Sequence, residues 1–347
     1  MKKYDVPGLS LAMARQGKLS VVGTFGWADR ENLVAVEPKH CFRVASVSKP
    51  ITSSAMMTLL QRKQIKLTDP VFGKEGRLHY LLRGNFPDGK DARRRLHTLK
   101  LKHLLEHAAG GWGNKKGDPM FAKDALGMNH EELIRWTLRN RPLTHNPGEE
   151  YSYSNFGFCL LGRVIERVTK KTYESAVQEL ILKPSGVHGM AIGGNSIQER
   201  LTDEVIYYGQ KEDAYSPAMD VRRMDAHGGW VATPIDLVRF ILRIDGFPNP
   251  SDLLESASLK TMTRPSIANA GYAKGWSVNK ASNWWYMGSF NGGSSIIVRT
   301  SDRFAWAVTV NSRSKDKTYG RQLDKLPWSI RKSISSWPDA DLFTQFS

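Results

Sequence analysis

Residues 8–15, "GLSLAMAR", and 19–26, "LSVVGTFG", are strand-like runs joined by "QGK", a Gly-containing connection, and together they predict a β-hairpin. The far end of the chain repeats the pattern. The stretches "GYAKGWSVN", "NWWYMGS", "SSIIVRT" and "FAWAVTVN" are strand-like, separated by Gly, Asn, Ser and "SDR" turns, and a helix is predicted from about Tyr319 to Ser336. Between these ends the hydrophobic period lengthens to that of helices. Ile51, Ala55 and Leu59 fall four apart, with Met56 and Leu60 widening the stripe, and Phe158, Leu161, Ile165 and Val168 draw a second apolar face. "NHEELIRWTLRN" opens with Asn129 and Glu132 in capping-box spacing. In "ATPIDLVRFILRI", Thr233 is placed to cap a helix, Pro234 to take its first position and Asp236 to meet its positive end.

Strands at both ends and helices between them predict a mixed α/β (α+β) fold. One antiparallel sheet is completed by the two sequence-distant ends, flanked by helices, and carries a large, mostly helical inserted domain. The division is 1–42 with 265–347 for the sheet, and 43–264 for the helical part. A length of 347 residues and 40% hydrophobic content suffice for a substantial core.

Charge changes the picture little. Lys and Arg number 50 against 34 Asp and Glu, a formal +16, and the densest basic run is "KDARRRLHTLKLKH" at 90–103, after the turn-like "FPDGKD". Aromatics are not interleaved with these cations as a single-strand nucleic-acid groove requires. The run reads as a solvated basic loop, with weak contact to an anionic surface as the alternative and no specific nucleic-acid partner. No window reaches the run of about 18 apolar residues of a membrane span, and the basic start has no apolar stretch behind it. The expected location is therefore cytoplasmic for a complete chain, and periplasmic or secreted for one trimmed at its N-terminus. Two cysteines, Cys41 and Cys159, are too few for a disulfide scaffold and read as buried free thiols.

Candidate chemistry gathers in "FRVASVSKPITSSAMM", residues 42–57. Ser46 and Lys49 stand three apart at a helix start, so both side chains project from one face. A serine hydroxyl needs a base, and a lysine made neutral by burial or neighbouring charge is one. A helix N-terminus adds backbone N–H groups useful to an oxyanion. The same spacing recurs at Ser277/Lys280, Ser312/Lys315, Ser314/Lys317 and Ser329/Lys332, but only the first pair opens a long amphipathic helix. The bland alternative is a polar helix start. A second element is Tyr153-Ser154-Asn155, the one Tyr-x-Asn in the chain. A phenol near ammonium groups can carry protons, and an Asn amide can both donate and accept; alone, this would read as a Tyr packed over a helix cap.

In order and setting these segments resemble the serine β-lactamase and penicillin-binding-protein superfamily, nearest the class C β-lactamases and their esterase (family VIII type) and peptidase relatives. The resemblance runs from about Val6 to Asn311 and includes "VPGLSLAMARQGKL", "LKHLLEHAAGG", "YSYSNFGFCLLGRVIERVTKKTYE" and "GGWVATPIDLVRF". It implies a site between sheet and helical part, without cofactor or metal. Ser46 would be the acylated nucleophile, Lys49 its base or proton relay, Tyr153 the general-base partner, and Asn155 the residue orienting Lys49 and the substrate. The family's third motif, Lys or His followed by a small residue and Gly, falls on Tyr286, Met287 and Gly288, and Ser289 would give the second oxyanion N–H. Tyr286 carries no positive charge near neutral pH, so the resemblance implies acyl transfer more firmly than recognition of a carboxylate. Trp112, in the Gly-rich "AAGGWGN", falls at a family pocket position, whereas Trp230, Trp284 and Trp285 read mainly as core.

His97, His103 and His107 look like a metal cluster, but without the Glu of a His-Glu-x-x-His helix they read as a solvated or core face. No Gly-x-Ser-x-Gly elbow is present. The leading expectation is a serine hydrolase working through an acyl-enzyme, foremost a carboxylesterase, on small ester, amide or β-lactam substrates. A D-amino-acid carboxypeptidase, amidase or β-lactamase is the second reading, and a catalytically silent scaffold the third. The oligomeric state is left open.

Overall fold

The computed structural model describes residues 1–82 and 89–346. Strands β1 (Gly8–Arg15) and β2 (Lys18–Asp29) form the expected hairpin. Its two-residue connection, Gln16-Gly17, has φ of 52° and 85°, the paired positive values that match the twist of the strands. The short strands β3 (Val34–Ala35) and β4 (Phe42–Arg43) follow. The helices are α1 (Ser48–Gln61), α2 (Lys90–Thr98), α3 (Leu101–Leu105), α4 (His130–Asn140), α5 (Asn155–Thr169) and α6 (Tyr173–Val177). Strands β5 (Ala191–Ile192) and β6 (Trp230–Ala232) precede α7 (Pro234–Leu242) and α8 (Ser256–Thr263). The chain returns through β7 (Ser277–Val278), β8 (Trp284–Phe290), β9 (Gly293–Arg299), β10 (Phe304–Val310) and α9 (Tyr319–Ser333).

The large sheet runs β3-β2-β1-β10-β9-β8-β7 and is antiparallel throughout. The two ends of the chain meet where β1 pairs β10, in a register that sets Leu9 opposite Val310 and Met13 opposite Trp306. Alternation along the strands then separates two faces. Leu11, Met13, Ile296, Val298, Trp306 and Val308 pack with Tyr319 and Leu323 of α9. On the other face Ala12, Ala14, Ala305 and Ala307 belong to the main core; four small side chains leave a shallow surface, and α7 lies on β1 and β10 there. A helix from the segment read as the insert is thus seated on the sheet itself. The capping box expected of Asn129 and Glu132 opens α4, and Thr233 caps α7 as expected, with Asp236 completing a box there.

Three expectations are corrected. The basic run 90–103 is not a loop but holds α2 and α3, with Ala92 and Leu96, four apart, buried on the inner side of α2; the first half of the turn expected at 86–91 lies outside the described residues. "GYAKGWSVN" contributes only the two residues of β7, and α9 ends at Ser333. Cys41 and Cys159 are buried free thiols, both with thiol ionisation pushed up by burial, Cys159 to about 12. No helix among the described residues is long and apolar enough to cross a membrane.

A second sheet, β4-β6-β5, matters more for the site than its size suggests. Pairing of Phe42 with Ala232 and Arg43 with Val231 ties the approach to Ser46 to the segment before α7. Arg43 is fully buried. Its guanidinium meets Glu204 at 3.6 Å, lies 4.5 Å from the Tyr207 ring and donates to the carbonyls of Gly194 and Ala214, so its charge is compensated.

Candidate active site

Beyond β4 the chain makes a tight 3-10 turn, Ala45–Val47, and α1 starts only at Ser48. Ser46 therefore stands in the turn before the helix, not on its first turn as the spacing predicts. Ala45 holds a left-handed backbone, φ 46°, which costs a residue bearing a Cβ and marks a position fixed by its surroundings. Val44 supplies the fixing: its N–H donates to the Trp230 carbonyl and its own carbonyl accepts the Ser295 hydroxyl at 2.6 Å.

Three side chains converge as expected. Lys49 Nζ lies 3.1 Å from Ser46 Oγ, and the Tyr153 hydroxyl donates to the same oxygen at 2.7 Å. Ser154 caps α5 by accepting the Gly157 N–H, which leaves Tyr153 in the extended segment just before the helix. Lys49 is fully buried and also donates to the His227 carbonyl at 2.8 Å. That carbonyl belongs to a wide π-type turn, Asp225–Gly229, held against α1 by the Thr52 hydroxyl donating to the Ala226 carbonyl.

Asn155 stands apart from its expected role as the orienter of Lys49. Its side-chain N–H donates to Asp118 at 2.7 Å and its backbone N–H to Asn114, while its Oδ1 is buried with no hydrogen-bond partner. The partner that fixes Lys49 is the His227 carbonyl. Trp112 is corrected too. Its indole is core, stacked edge-on to Phe156 with its N–H given to the Arg141 carbonyl, and it does not line the cavity.

On β8 the alternation turns Tyr286 and Gly288 inward and leaves Met287 exposed. The Tyr286 hydroxyl lies 3.0 Å from that of Tyr272 and 3.5 Å from His107 Nε2. Gly288 faces the nucleophile turn so closely that a Cβ there would stand 3.1 Å from the Ser46 backbone nitrogen. Ser289 lies at the cavity wall.

The cavity over Ser46 holds about 340 Å³. Phe121, Met219, Met224 and Phe290 give it an apolar side, so the apolar wall expected from tryptophans is built from other residues. Asn114, Asp118 and His227 reach it as well, none of them singled out by sequence. At its rim Arg313 is held by Glu212 at 2.7 Å and by the Asn291 side-chain oxygen at 3.0 Å. His227 Nε2, like Asn155 Oδ1, is buried there without a hydrogen-bond partner.

Burial governs the ionisation. It drives Lys49 well below the ordinary lysine range, with nearby Asp118 opposing, and drives Tyr153 above the ordinary phenol range, with its hydrogen bond to Ser46 opposing. Burial and the Lys49 charge also push His107 and His227 well below the usual histidine range. Burial thus favours a neutral amine at Lys49 and neutral phenols and imidazoles around it. Among the described residues no group of three or more His, Cys, Asp or Glu is placed to hold a metal ion. His103 instead accepts the Lys100 N–H at the start of α3, its ionisation lowered by burial to about 4.

An antiparallel sheet with helices on both faces, and serine, lysine and tyrosine converging beside it, defines the architecture of β-lactamases and penicillin-binding proteins. A family model described as Beta-lactamase matches residues 1–326, and the chain belongs to that family. It is 23% identical over 325 residues to Protein flp of Staphylococcus aureus (strain MRSA252), across 91% of this chain and 61% of that protein, so it spans about three fifths of that relative's length. In fold it is similar to the octameric penicillin-binding protein homologue from Pyrococcus abyssi, with TM-score 0.75 and 20% identity over 96% of this chain and 75% of the other. The D-amino acid amidase from Ochrobactrum anthropi SV3 aligns with TM-score 0.74 and 20% identity, covering 95% of this chain and 96% of that one.

Proposed function

We propose that the protein is a serine hydrolase that works through an acyl-enzyme on Ser46, with small carboxylic esters as its preferred substrates. The observation that carries this is the convergence on Ser46 Oγ of a buried lysine at 3.1 Å and a half-buried tyrosine at 2.7 Å, beside a cavity that Ser46 lines. Lys49, as the neutral amine, takes the Ser46 proton while Oγ attacks the substrate carbonyl carbon. The backbone N–H groups of Ser46 and Ser289 receive the oxyanion. Tyr153 gives its proton to the departing alcohol as the carbonyl–oxygen bond breaks, and recovers it from Lys49 through the vacated site. Water then attacks the acyl-enzyme along the same route, returning the serine.

Lys49 is the base in this scheme because burial favours its neutral form and disfavours the phenolate of Tyr153. A cation at the third motif would reverse that preference, and Tyr286 supplies none. The apolar side formed by Phe121, Met219 and Phe290 suits a short acyl or aryl group.

A second reading, hydrolysis of peptides ending in a D-amino acid, is favoured by Arg313, which sets a cation at the cavity rim despite Tyr286. Likeness in fold to a D-amino acid amidase points the same way. The test is parallel turnover of p-nitrophenyl butyrate, a penicillin and a D-Ala-D-Ala peptide. Fastest turnover of the ester supports the esterase reading, and a faster peptide or penicillin replaces it.

A further inference from the structure

His107, which reads from sequence as a decoy, holds Tyr153, both its chain neighbours and Tyr286. Its left-handed backbone, φ 53°, ends α3. Its carbonyl accepts the Ser152 N–H at 2.7 Å and its Nδ1 accepts the Ser154 N–H at 3.1 Å. The residues on either side of Tyr153 are thus tied to the same histidine. The imidazole also lies against the Tyr153 ring, centroids 4.5 Å apart.

The fourth contact is with a hydroxyl group. An Nδ1 that accepts an N–H carries no proton, so the one proton of the neutral ring is on Nε2. That nitrogen faces the Tyr286 oxygen at 3.5 Å. Tyr286 receives there, and its hydroxyl meets that of Tyr272 at 3.0 Å.

We propose that His107 is the positioning residue of Tyr153, clamping its backbone from both sides, packing on its ring and donating to the neighbouring Tyr286. This rests on the reading of Tyr153 as the proton carrier of an acyl-enzyme hydrolase. In this role a neutral N–H dipole aligns a neutral phenol, and no cation is needed at position 286. The same histidine side chain could serve only to finish α3, but a terminating residue needs neither the Nδ1 bond to Ser154 nor an Nε2 aimed at Tyr286.

The test is steady-state kinetics on p-nitrophenyl butyrate for the full chain, with circular dichroism on each variant. His107→Leu is expected to lower kcat about 100-fold, the scale of an ångström of misplacement, with KM changed less than about twofold. His107→Gln, whose amide can accept from Ser154 and donate toward Tyr286, is expected to recover at least about tenfold of that loss. A folded His107→Leu with wild-type kcat, or a His107→Gln no better than Leu, overturns the proposal. Should His107→Leu fail to fold, the comparison moves to His107→Asn, whose shorter amide keeps the Ser154 bond but falls short of Tyr286. Asn slower than Gln in kcat supports the assignment, and equal rates overturn it. Ser46→Ala in the same assay separates the two layers: turnover retained there removes the serine reading itself, whatever His107 does.

Discussion

Gly288→Ala tests whether β8 must lie against the nucleophile turn. The added methyl would stand 2.2 Å from the Val44 carbonyl oxygen, 2.5 Å from the Ser295 hydroxyl and 3.1 Å from the Ser46 nitrogen. None of these can yield cheaply. The Ser295 hydroxyl is committed to Val44, and Val44 is held by Trp230. Ordinary contacts at these atoms need more than about 3 Å, so strand and turn must part by roughly 1 Å. A displacement of that size at a reacting atom costs about 100-fold in kcat/KM, near 2.7 kcal/mol of barrier, and overpacking costs about 1–3 kcal/mol of stability. The assay is kcat/KM on p-nitrophenyl butyrate beside a thermal melt. Gly189→Ala is the control, since the nearest atom to its new methyl is 3.8 Å away. A Gly288→Ala enzyme with wild-type kcat/KM refutes the argument that this glycine sets the geometry of Ser46.

Lys49→Met is expected to lower ester hydrolysis at least about 10³-fold. Because Lys49 titrates in the folded protein below its ordinary range, the unfolded chain binds the extra proton between that depressed value and about 10.4, and stability rises with pH across the window; urea melts at several pH values should show that slope in wild type and its loss in Lys49→Met. Arg163→Leu strands the buried carboxylate of Asp225, which Arg163 holds below the usual range, at a cost of about 3–5 kcal/mol measurable by denaturant titration. Arg313→Met should lower kcat/KM on a D-Ala-D-Ala peptide at least about tenfold more than on p-nitrophenyl butyrate; equal losses would remove the rim cation from carboxylate recognition.

What the sequence disclosed follows from the range of the interactions. The hairpin at 8–29 and strands β8 to β10 declare themselves through runs of seven or more residues, and Thr233-Pro234 through a local cap. Strands β4, β5 and β6 are two or three residues long and exist only because distant segments pair, so no period reveals them. The helix α2 hides behind cations because only Ala92 and Leu96 face inward. In the site, Ser46, Lys49 and Tyr153 were legible as residue types whose chemistry requires company. Asp118 and the His227 carbonyl were not, since one reaches the site through Asn155, 37 positions away, and the other is backbone. His107 was read only as a solvated or core histidine, because its work on Ser152 and Ser154 is done across 45 and 47 positions. Trp112 misled because a Gly-rich loop suggests a pocket, while its indole closes the core.

The central claim is a covalent acyl group on Ser46, and intact-mass spectrometry after brief exposure to p-nitrophenyl butyrate tests it most directly, with wild type and Ser46→Ala side by side. One butyryl group on wild type, located on the peptide containing Ser46 and lost as the ester turns over, with none on Ser46→Ala, is the predicted result. Turnover by Ser46→Ala at the wild-type rate, or an adduct carried equally by both proteins, would contradict it.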